Sequence, residues 1–145
     1  MTGIREFSLE EANALVPELH RIVSRQLLAQ QELEESLRLL HERLGHLPRE
    51  LVLLWEDSEE VRGLKERAGR LMEEVDAGWG RVQALGVQVK DPRTGLLDFY
   101  GRVDGRLVFL CWRFGEEFVA HYHELDEGFR GRKPLPAPQR HRLFN

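Results

Sequence analysis

The sequence predicts an α+β fold, a long antiparallel helical hairpin packed on one face of a four-stranded antiparallel meander sheet. Three observations carry that expectation. Apolar residues recur every three or four positions between Leu9 and Leu44, and again between Val61 and Leu85. After Gly86 the period falls to two, the spacing of a half-buried strand. Asp104-Gly105 then separates two alternating runs, as the turn of a two-residue hairpin does.

The first helix opens at Ser8-Leu9-Glu10-Glu11, where the Ser8 hydroxyl can accept from the third amide and Glu11 can reach back, a capping box. Pro17 falls two turns in and lacks the N–H that a helix interior requires. The spacing therefore predicts a short helix over 9–16 that bends or restarts at Pro17 and continues to about Leu44. Gln26 and Gln30 interrupt its apolar stripe; Gly45 and Pro48 end it. Residues 51–55 (Leu-Val-Leu-Leu-Trp) are apolar and are expected to pack under the helix connection. Asp57 or Ser58 caps the second helix, which carries acids in its first turn and stops at Gly86.

The strand register follows from the turn. With Val103 facing Arg106, Asp98 falls opposite Cys111, Phe99 opposite Leu110 and Tyr100 opposite Phe109. A loop at Asp91–Gly95 pairs Val87 and Val89 with Phe99 and Leu97. A later loop at Arg113–Glu117 pairs Leu110 with Ala120 and Val108 with Tyr122. One face of this sheet is apolar. The other collects Lys90, Asp98, Tyr100, Leu107, Phe109, Cys111, Val119, His121 and His123, and needs a cover from the tail or from a second subunit.

At 145 residues the chain has room for one domain, here residues 1–135: hairpin 1–86, sheet 87–124 and a Gly/Arg loop 125–135, with a tail over 136–145. Its net charge of -4 argues against nucleic acid as a partner. No apolar run is long enough for a membrane span, and no signal pattern opens the chain. A single cysteine, Cys111, cannot form an internal disulfide, so a cytoplasmic location is expected. Leu107, Phe109 and Val119 on the outer face add apolar area that predicts a homodimer, through that face or through the helices.

Ligand-type residues are densest from Glu116 to Glu127. On a strand, His121 and His123 project to one side at a spacing at which two imidazoles can converge on a divalent ion, with Glu117 or Glu124 as a carboxylate ligand. The same spacing equally describes two half-exposed histidines beside an acidic loop. Cys111 reads as a small buried hydrophobe, and Asp98 as an ordinary hydrogen-bonding or ion-pairing residue about two strands from His121. Arg130, Arg132 and Lys133 stand in a glycine-bracketed loop that suits either an oxyanion or the neighbouring acids.

Several runs in order resemble a family. They are Phe7-Ser8-Leu9-Glu10-Glu11-Ala12-Asn13-Ala14-Leu15-Val16-Pro17, Gly86 to Asp91, Thr94 to Phe99, Val108 to Trp112, Gly115-Glu116, His123-Glu124-Leu125-Asp126 and Gly128 to Arg132. Together they resemble the bacterial family designated domain of unknown function 2203, over nearly the whole chain to about Leu135. The resemblance implies no assigned activity beyond a label of metal-ion binding. By position it implies Glu116, His123 and Glu124 as ligands. At His121 the family more often has an aromatic residue, which makes that histidine an additional nitrogen.

The first functional expectation is therefore a small protein binding a divalent transition-metal ion, zinc foremost, through His123, Glu124, Glu116 and His121. A second is an interaction or self-association module built on the long helices, without metal. A third is a metal-dependent hydrolase, which would need an open coordination position and a base that no residue obviously supplies.

Overall fold

The computed structural model describes residues 4–136. Two helices, α1 (Leu9–Leu44) and α2 (Glu59–Ala84), form the hairpin. Strands β1 (Gln88–Asp91), β2 (Leu96–Val103), β3 (Arg106–Arg113), β4 (His121–His123) and β5 (Lys133–Pro134) form one antiparallel sheet in chain order. Among the described residues no helix is long and apolar enough to cross a membrane. The proposed tail lies almost entirely outside the described residues.

Both helix starts form as their side chains dictate. Ser8 accepts from the Glu11 amide while the Glu11 carboxylate accepts from the Ser8 amide, and Ser58 caps α2 through the Val61 amide. The expected break at Pro17 does not occur, because α1 runs unbroken for 36 residues. Pro17 sits on the solvent side, while Ala12, Val16, Leu19 and Val23 are buried against the sheet. Packing of that face outweighs one missing ladder bond.

Between the helices, the two glutamines that interrupt the stripe are its most specific contacts. Gln26 is buried and donates from Nε2 to the Val75 carbonyl at 2.7 Å. It occupies the space where Gly78 has no side chain, since a Cβ there would lie 1.9 Å from Gln26 Oε1. Gln30 accepts from Trp79 Nε1 and donates to the Pro92 carbonyl, tying both helices to the loop after β1. Farther out, Leu40, Val61 and Ala68 form a second apolar cluster with Leu33, Leu37, Leu44, Leu51 and Leu64.

The connector differs from expectation. Leu51 is half-buried, but Val52, Leu53 and Leu54 are exposed and Trp55 is 90% exposed. Its backbone is held instead by polar groups: a buried Lys65–Asp57 ion pair at 2.8 Å, Lys65 donating to the Val52 carbonyl, and the Leu54 amide donating to Asp57. Those bonds fix the backbone with the apolar side chains turned outward.

In the sheet, Asp104 at φ 52° and Gly105 at φ 79° make the turn between β2 and β3. The register is the one derived from it, with Asp98 opposite Cys111. β1 pairs as expected, Val89 against Leu97. The third register is displaced by two residues, with Leu110 facing Tyr122 and Cys111 facing His121. The cause is Asn13 on α1, which accepts from the Val119 amide and donates to its carbonyl, so Val119 leaves the ladder and enters the core. A shift of two preserves the faces. The sheet has a fifth strand beyond the four expected, formed by Lys133–Pro134 within the segment read as a Gly/Arg loop, and Leu135 joins the core.

Phe109 and Val119, offered as exposed apolar surface, are buried within the single chain. Leu107, the third residue of that group, is half-buried.

Replacing Gly78 by Ala forces Gln26 from its site and should lower the unfolding free energy by about 1–3 kcal/mol. In a double-mutant cycle read by denaturant unfolding, Gly78→Ala and Gln26→Ala together should cost clearly less than the sum of the two alone. Additive costs would mean that the two residues do not share the space.

Candidate metal centre on the outer face of the sheet

Three adjacent strands each contribute one side chain to a buried cluster. Asp98 comes from the middle of β2, Cys111 from its direct partner position on β3, and His123 from the end of β4. Their ligand-type atoms all lie within 4.8 Å of one another, and none of the three residues is more than 1% exposed. His123 stands opposite Phe109, so its ring reaches Asp98 diagonally, past the small Cys111 side chain.

Hydrogen bonding fixes the histidine tautomer. Nδ1 lies 2.9 Å from the Glu124 carbonyl, which can only accept, so Nδ1 carries a hydrogen. Nε2 faces Asp98 Oδ2 at 2.8 Å, and one proton lies between them. Whether carboxyl or imidazole holds that proton, the pair is neutral overall. Burial pushes the Asp98 carboxyl above its usual range, opposed by the His123 charge and by the Cys111 thiol. Asp98 Oδ1 has no hydrogen bond of normal geometry, and is a buried acceptor left open. Burial, reinforced by the Asp98 charge, pushes the Cys111 thiol up to about 12.

Of the four residues expected to bind an ion, His123 alone belongs to this cluster. Glu124 contributes its carbonyl, while its carboxylate forms two bonds to Arg106 at 2.9 and 2.7 Å. Hydrogen bonding to Arg106 holds that carboxyl below its usual range. Glu116 accepts from the Arg113 amide and pairs with Arg132, and His121 Nδ1 lies 2.6 Å from the same Arg132. Glu116 and His121 thus meet at one guanidinium, and Glu124 meets another.

Asp98 and Cys111 are the residues that sequence reasoning passed over. Their pairing follows from the Asp104-Gly105 turn. Only the diagonal reach of His123 was absent, and it depends on the two-residue displacement of β4 that Asn13 imposes.

The sequence pattern of one family, described as an uncharacterised conserved protein, matches residues 5–135. The chain belongs to domain of unknown function 2203. No curated protein and no solved structure matches it. Membership in domain of unknown function 2203 brings no activity with it, so the chemistry must be read from the cluster.

Imidazole nitrogen, thiol sulfur and carboxylate oxygen together form a donor set suited to zinc or another first-row transition ion. The anchored Nδ1–H presents Nε2 as the ligand atom, as a carbonyl behind a metal-binding histidine does. A cysteine nucleophile is a poorer fit, because the thiol is fully buried and held protonated.

At pH 8 the buried Cys111 is held as the thiol in the folded chain. Alkylation by iodoacetamide should therefore track global unfolding in denaturant. Rapid modification of the native protein at pH 8 would refute this account of the thiol.

Proposed function

We propose that this chain binds a divalent transition-metal ion, zinc in the first instance, through Asp98 oxygen, Cys111 sulfur and His123 Nε2. The convergence of three unlike donors in a buried cluster with one open acceptor, Asp98 Oδ1, carries the reading. The ion would displace two protons, one from the thiol and one shared by Asp98 and His123. It would then clamp three strands, adding stability by mass action. His121, opposite Cys111 in the ladder, is the further histidine on β4. Glu116 and Glu124 act behind the site by orienting Arg132 and His123. A thiolate ligand suits the reducing cytoplasm expected from the lone cysteine. Burial of all three donors favours an ion that stabilises structure over hydrolytic chemistry, which needs an open position for water and substrate.

Zinc should raise the melting midpoint of untagged protein by several degrees, and cobalt should produce a thiolate charge-transfer absorption. Cys111→Ser and His123→Ala should abolish both responses, whereas Glu116→Gln and Glu124→Gln should retain them. Loss in the glutamate variants together with retention in Cys111→Ser would instead support the ligand set read from the sequence. No response from the wild type to zinc, cobalt, nickel or manganese would reject the metal reading.

A second reading, self-association as a homodimer, is supported by the connector. Leu47, Val52, Leu53, Leu54 and Trp55 form an exposed apolar group at the free end of the hairpin, on a backbone that Lys65 and Asp57 fix. Sedimentation equilibrium at micromolar concentration should give a dimer for the wild type and a monomer for Leu53→Glu/Trp55→Glu. A monomeric wild type would reject it.

A further inference from the structure

Away from the sheet, a cleft of about 630 Å³ on the helical hairpin is lined by Glu18, His20, Arg21, Ile22, Ser24, Arg25 and Arg81. Arg21 and Arg25 are one turn apart on α1, and Arg81 comes from the last turn of α2. All three arginines are exposed, and none has an ion pair or hydrogen bond among the described residues.

Arg38, Arg67, Arg102 and Arg106 are paired with acids. What marks the cleft is that three unpaired guanidinium groups from two helices line one concave surface. Two like charges one turn apart on a helix repel each other, and the third is brought to them by the packing of α2. Glu18 is the one acid in the lining, so the cleft carries an excess of positive charge in a chain whose net charge is -4. Arg25 and Arg81 also border a neighbouring cleft with Glu32 and Glu74, and Glu32 is already taken by Arg67. His20, stacked on the Phe114 ring at 4.9 Å, holds a further ring nitrogen at the rim, and Ser24 supplies a hydroxyl.

We propose that this cleft is a binding site for a small phosphorylated ligand, whose oxyanions are held by Arg21, Arg25 and Arg81. Planar guanidinium groups form paired hydrogen bonds with phosphate oxygens, and three of them around one cleft suit a ligand with more than one phosphoryl group. The cleft volume falls within the size range of small-molecule sites. The site is separate from Asp98, Cys111 and His123 and does not depend on metal there.

Inorganic pyrophosphate titrated calorimetrically into the full chain is the direct probe. The wild type should bind it, and Arg25→Ala/Arg81→Ala should weaken binding at least about tenfold without changing the circular dichroism or melting midpoint. Arg49→Ala/Arg70→Ala removes the same net charge from outside this cleft and should bind as the wild type does. Cys111→Ser should also retain wild-type affinity, which separates this site from any ion at the sheet. Absence of binding to the wild type, or equal weakening in the two double variants, would overturn the proposal. A single-stranded oligonucleotide that binds more tightly than pyrophosphate and is lost in Arg25→Ala/Arg81→Ala would overturn it too, in favour of a nucleic-acid surface.

Discussion

The pairing of β2 with β3 sets the position of everything on the outer face of the sheet. It is fixed at one end, where Asp104 and Gly105 both take positive φ, so that the chain reverses with the twist its strands require. From there eight residue pairs run in step to Leu96 and Arg113. A slip of one residue would turn Phe99 and Leu110 toward solvent and bury polar groups among α1 and α2. The hydrophobic core therefore enforces a register that also places a carboxylate and a thiol side by side. Asp98 and Cys111 are adjacent because Phe99 and Leu110 must be buried.

A comparable constraint operates in the hairpin. An apolar seam alone permits two helices to slide by a turn with little loss. Gln26 in the space above Gly78, and Gln30 between Trp79 and the Pro92 carbonyl, have no equivalent partners one turn away. The polar contacts thus select the alignment, and apolar burial stabilises it. Asn13 extends the same logic to the sheet, because its side chain replaces a strand partner for Val119 and decides where β4 begins.

Local chemistry made much of this legible in the sequence. Ser8, Ser58, Gly86 and Asp104-Gly105 act through their own backbone or within a few residues, and each stands where the sequence placed it. What escaped depends on distant partners. Pro17 is tolerated because of burial on the opposite side of α1, and Gln26 is an interior residue only because Gly78 faces it. The candidate site shows the same division. Its Asp98–Cys111 half follows from a turn. Its His123 arm follows from an asparagine more than a hundred residues away in the chain.

The buried pair of Lys65 and Asp57 has a practical consequence for handling the molecule. The chain has three lysines, and Lys65 has its amine engaged by a carboxylate and a carbonyl in the interior. Lys90 and Lys133 are exposed, and both belong to the sheet. Side-chain amines available to an acylating surface therefore occur at the sheet end. A chip coupled through those amines would hold the protein by its sheet, with the Trp55 end of the hairpin directed into solution.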